Sequence, residues 1–149
     1  MADYTTHICF EVELPREDCA ADAIVLYEQI EKAIDSDEWP DALQQFKTDW
    51  LVFGIAIRHE GRVLTISDDY GAPNMDLLCD YIQELLRRFD PGGCVGFLYS
   101  EDCTASRVGA FGGGAILVTA DGAEWYSASS ALDAMKKDFA ARQKIAAGR

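Results

Sequence analysis

The spacing of apolar residues in this 149-residue chain switches repeatedly between two and three-to-four, and that succession limits the fold more than any other feature. Over residues 6–14 it alternates, with Ile8, Phe10, Val12 and Leu14 on one side and His7, Cys9, Glu11 and Glu13 on the other. Successive side chains of a strand point to opposite faces, so this segment is predicted to be a strand with one face on a core. Pro15 ends it. From residue 16 to 35, Ala20, Ala23, Ile24, Tyr27, Ile30 and Ile34 recur at helical spacing. Pro40 suits the first turn of a short second helix over 41–48, with Leu43 and Phe46 inward.

Residues 51–57 and 63–67 are apolar and β-branched runs, separated by a turn over 59–62 that contains Gly61, and they predict a hairpin. Asn74 can cap a helix on which Met75, Leu78, Ile82, Leu85, Leu86 and Phe89 step by three and four, closed by Pro91, Gly92 and Gly93. Residues 94–99 read as a strand and 101–114 as a long loop. Residues 115–119 and 124–127 form a hairpin turning at Asp121 and Gly122, and Ser129 or Ser130 starts a last helix through Lys144. The order predicts an α+β fold: one domain over 1–149 with a mainly antiparallel sheet and helices packed on one face. Its first six main elements match the ferredoxin-like βαββαβ pattern, followed by a β-hairpin and a C-terminal helix.

Charge is distributed unevenly over this framework. Thirteen acidic residues stand in the first 49 positions against Arg16, Lys32 and Lys47, so ten of the thirteen net negative charges gather there. Such a surface attracts basic partners and repels nucleic acid and anionic membranes. The same stretch carries Phe10, Tyr27, Trp39, Phe46 and Trp50, enough apolar surface to order itself, so the acidity belongs to a folded face and not to a disordered tail. Apolar runs such as 51–57 fall far short of the roughly 20 residues of a membrane span. Met1 leads into polar residues rather than an export leader, and five cysteines (Cys9, Cys19, Cys79, Cys94 and Cys103) make an odd number. Together these predict a cytoplasmic protein with reduced thiols and no membrane association.

Several side chains are candidates for function. Glu17, Glu28, Glu31 and Asp35 fall near one azimuth of the first helix, and Glu11 and Glu13 leave the non-core face of the preceding strand. With Glu38 and Trp39 they form the expected binding surface for a basic protein, of the kind that binds nucleic acid in a host or its defences. The plainer alternative is a solvated acidic face, with Trp39 in the core. Cys103 and Arg107 supply the polar groups of a second alternative, a small enzyme or ligand-binding module built on the loop at 100–114. Asp68 and Asp69 stand where carboxylates serve as acid, base or turn residues. The glycine-rich run at 109–114 precedes a strand, so it lacks the helix N-terminus on which phosphate loops depend. Histidines and cysteines show no metal-ligand spacing, and neither metal nor cofactor is expected. Lys136, Lys137, Arg142, Lys144 and Arg149 make the last helix cationic, which opens a third alternative, a homodimer in which it meets the acidic end.

The segment from Cys103 through Arg107-Val108-Gly109-Ala110-Phe111-Gly112-Gly113-Gly114-Ala115 and Val118-Thr119-Ala120 to Trp125 resembles a family of uncharacterised bacterial and phage proteins. The typical form of that family reads C-S-K-P-R-V-G-E-F-G-G-G-A, then V-T-A and a tryptophan. Thr104 and Ala105 stand for its Ser-Lys, its proline is absent, and Ala110 stands for its glutamate. The resemblance covers about the last third of the chain. It implies a recurring fold element and an association with phages and mobile elements, and no established activity. In that setting small acidic proteins block nucleic-acid-binding machines, as anti-CRISPR and DNA-mimic proteins do, so inhibition of such a partner is the expected role.

Overall fold

Six strands and three long helices follow one another in the computed structural model, which describes residues 3–108 and 111–148. Strand β1 (Tyr4–Glu13) leads to helix α1 (Glu17–Ser36) and a 3₁₀ segment (Asp41–Phe46). The hairpin β2 (Ile55–Glu60) and β3 (Val63–Asp68) precedes α2 (Met75–Phe89) and β4 (Cys94–Cys103). A second hairpin, β5 (Gly112–Thr119) and β6 (Gly122–Ser127), passes into α3 (Ala128–Ala147). The strands lie in the order β2-β3-β1-β4-β5-β6 and every neighbouring pair is antiparallel. β3 therefore separates the parallel strands β1 and β2, and β1 separates β3 from β4, which is the interleaving of a ferredoxin-like α+β fold. The second hairpin widens that sheet at β4.

One face of the sheet is covered by α1 and α2. Ile8 and Val12 of β1 are buried there, and Phe10 stacks on Phe97 of β4 with ring centroids 4.1 Å apart. α1 turns Cys19, Ala20, Ala23, Leu26, Ile30 and Ala33 inward, while Ile24, Tyr27 and Ile34 of the expected stripe are only partly covered. The three alanines at this surface leave room for α2 to approach. There the buried Tyr81 hydroxyl donates to the Ala23 carbonyl at 2.6 Å, a bond between the two helices. Asn74 caps α2 as expected, its side-chain oxygen accepting the Leu77 N–H at 3.1 Å.

Three boundaries differ from the sequence reading, each for a local reason. β2 begins at Ile55 instead of residue 51, because Gly54 has φ 77° and turns the chain against the backbone of Ala72, leaving Leu51 and Val52 exposed. Its hairpin turns in two residues, Gly61 and Arg62, with Gly61 at φ 59°. β4 continues to Cys103 and β5 starts at Gly112, so both ends of the expected loop, Gly112, Gly113 and Gly114 included, belong to the sheet. A Cβ on Gly113 would overlap the Tyr99 carbonyl, and one on Gly114 would overlap that of Tyr126. Backbone thus packs on backbone, inside a strand. Gly109, Ala110 and Arg149 lie outside the described residues.

α3 is longer than its sequence signals suggest. Ser127 caps it by accepting the Ser130 N–H at 3.1 Å, and the helix continues to Ala147 beside β5 and β6 without burying a single residue. Among the described residues no helix is long and apolar enough to cross a membrane.

Candidate functional site

The outward face of α1 gathers several carboxylates. Tyr27, Glu28, Glu31, Lys32, Asp35 and Ser36 bound a shallow depression of about 510 Å³. Asp69, which follows β3 and is held by a 2.8 Å bond from its N–H to the Gly54 carbonyl, adds its charge to the same group. Burial pushes the Glu31 carboxyl above its ordinary value; the Tyr27 hydroxyl opposes this, and Asp35 and Asp69 push it further up. Tyr27 donates its proton to the Ile55 carbonyl at 2.9 Å, and its phenol is pushed strongly upward by burial and then by Glu31, Asp69 and Glu28.

The end of α1 is more unusual. A helix C-terminus carries partial negative charge and favours cations. Here the last turn has no basic residue, Asp35 lies within it, Asp37 is the C-cap at φ 54°, and the exposed Glu38 follows. Each such acid costs about 0.3 to 1 kcal/mol at an exposed helix end. These charges are therefore placed against the helix's own electrostatic preference.

The eight residues expected at the binding surface do not form one patch. Glu28, Glu31 and Asp35 come together on α1, whereas Glu17 is eleven residues back, about 16 Å along the axis. Glu11 and Glu13 leave the face of the sheet opposite the helices, so the core stands between them and the α1 group. Glu13 is also paired with Arg62, and Glu11 lies one strand away from Arg58, both partnering Thr65 in register. Trp39 is half-buried against the core; its indole N–H is buried and has no acceptor among the described residues.

Cys103 and Arg107 are separated by the fold. The thiol expected in a polar loop is instead buried at the end of β4, opposite Tyr4, because that strand is longer than its apolar run. Arg107 is exposed, beyond the end of β4. This burial removes the solvent access a reacting thiol requires.

A second constellation was not anticipated. On the sheet face away from the helices, His7 Nδ1 lies 3.4 Å from Asp68 Oδ2 and His7 Nε2 lies 3.3 Å from Asp102 Oδ2. Asp68 accepts the Ile8 N–H at 2.8 Å and the Gly71 N–H at 3.2 Å, and Thr5 donates to Asp102. The imidazole thus lies between the ends of β3 and β4, across β1, with a carboxylate near each ring nitrogen. The sequence signal for it is faint, since the residues are brought together by the pairing of β1 with β3 on one side and with β4 on the other.

Fold and surface define an α+β protein with a ferredoxin-like core, a widened sheet and a segregated acidic helix face. Comparison with protein-family models, with curated proteins and with solved structures finds no match to the chain. The resemblance of the segment from Cys103 to Trp125 therefore rests on its residues alone.

Proposed function

We propose that this is a non-enzymatic acidic binding domain that engages and inhibits a basic protein through the outward face of α1, centred on Glu28, Glu31 and Asp35. The observation that carries this reading is the gathering of acids where they lower stability, around the α1 C-terminus and beside the half-buried Glu31. Residues that break a local rule without a structural return are characteristic of sites kept for binding. A merely solubilising charge has no reason to occupy those positions. Proteins that bind nucleic acid present basic grooves, and are the partner class such a face suits. The buried Cys103 lends no support to an enzymatic alternative.

The test separates stability from binding. Asp35→Asn should raise stability by about 0.5 kcal/mol in urea unfolding, because it relieves the helix end. Glu28→Gln, Glu31→Gln and Asp35→Asn together should abolish capture of basic proteins that duplex DNA displaces from the immobilised wild-type chain, and capture should weaken steeply with salt. Salt-independent capture, or capture undiminished in the triple variant, would sink the reading.

A further inference from the structure

A different surface remains without an occupant. On the sheet face away from α1 and α2, the widened half formed by β4, β5 and β6 carries a groove of about 450 Å³. Cross-strand register sets Gly96, Leu117 and Glu124 in one row and Leu98, Ala115 and Tyr126 in the next. The small residues leave a hollow between large ones that face solvent, Leu98 being 73% and Tyr126 58% exposed. Across three strands this apolar strip is about 10 Å wide, the width of a helix.

α3 is the matching convex element. Ala128, Ala131, Leu132, Met135 and Phe139 fall within one arc of its surface, yet Leu132 is 50%, Met135 67% and Phe139 58% exposed. Most helices in proteins gain their stability by burying such a stripe against the rest of the fold. α3 cannot fold back to fill its own groove, because β6 ends at Ser127 and α3 begins at Ala128 with no connecting residue. Strand-to-helix connections that reverse onto a sheet ordinarily use two to six.

We infer that two copies of this chain associate by reciprocal docking, the α3 of each lying in the β4–β5–β6 groove of the other. Charge favours this occupant. α3 carries four basic and two acidic side chains, while the remainder of the chain carries nine basic and twenty-four acidic. Arg142 lies within the apolar arc, paired with Asp138 of its own helix at 3.2 Å, and Glu124 is the acid among the groove residues.

Sedimentation velocity on the full chain tests this. Wild type should reach twice its 16.4 kDa monomer mass at micromolar concentrations. Phe139→Glu and Tyr126→Glu, both at exposed positions, should keep the wild-type circular dichroism and each weaken association at least about tenfold. Arg142→Glu and Glu124→Lys should each weaken it, and their combination should restore it. A chain that stays monomeric to about 100 μM overturns the inference. So does a dimer sensitive to Phe139→Glu but not to Tyr126→Glu, which would mean helix-on-helix pairing. A dimer indifferent to both would mean pairing along the free edge of β6 and is equally fatal.

Discussion

At the scale of single residues, the glycines of β5 decide more than any charged group. Gly113 has φ 145°, a region closed to side chains, and it brings the β5 backbone against the Tyr99 carbonyl. Gly113→Ala meets both obstacles together, so we expect a loss of about 3 kcal/mol or more in denaturant unfolding. A variant within about 0.5 kcal/mol of wild type would show that the strands do not approach so closely. The His7 bridge belongs to the same scale, but His7 and Asp102 are about half exposed and only Asp68 is largely covered, and exposed pairs contribute about 0 to 1 kcal/mol. It aligns strand ends more than it stabilises them.

At the scale of elements, the helices carry carboxyl groups that folding holds out of their ordinary range. Glu31 on α1 and Asp80 on α2 are both pushed upward, chiefly by burial and then by acidic neighbours, against ordinary values of 4.5 and 3.8. A raised folded value means that the folded state binds the proton more tightly than the unfolded chain. The stability each group contributes is full below its ordinary value and is lost as pH rises through the raised one. Thermal unfolding followed upward from pH 4.5 should therefore show wild type losing stability relative to the Glu31→Gln, Asp80→Asn double variant. Parallel curves for the two proteins would contradict the assignment. α3 is marked by something else, an apolar arc that stays half or more exposed.

At the scale of the whole molecule, a net charge of −13 sets the response to ionic strength. Among the described residues few of the acids find a cation: Glu13, Asp18, Glu84 and Asp138 pair with arginines. Self-repulsion then outweighs the pairs that salt would weaken, so raising sodium chloride from about 10 mM to about 300 mM should lift the unfolding midpoint by about 2 to 4 °C. A midpoint that falls with salt would mean that the ion pairs dominate.

Periodicity alone determined the element order, the α+β class and the interleaved strand pattern, because a period of two or of 3.6 is written in neighbouring residues and needs no distant partner. The Asn74 cap and the inward Leu43 and Phe46 were legible for the same reason. Glycine has no side chain to carry a period, so the start of β5 was invisible until strand pairing placed it. Cys103 read as a loop residue because a strand that runs on through the polar residues Ser100, Glu101 and Asp102 owes its extent to β1 and β5 on either side. The acidic excess was plain as a count, but only the layering of helices on one side of the sheet could divide Glu11 and Glu13 from Glu28, Glu31 and Asp35. Local order follows from chain neighbours; which surfaces exist, and which of them stay uncovered, follows from contacts between residues far apart in the chain.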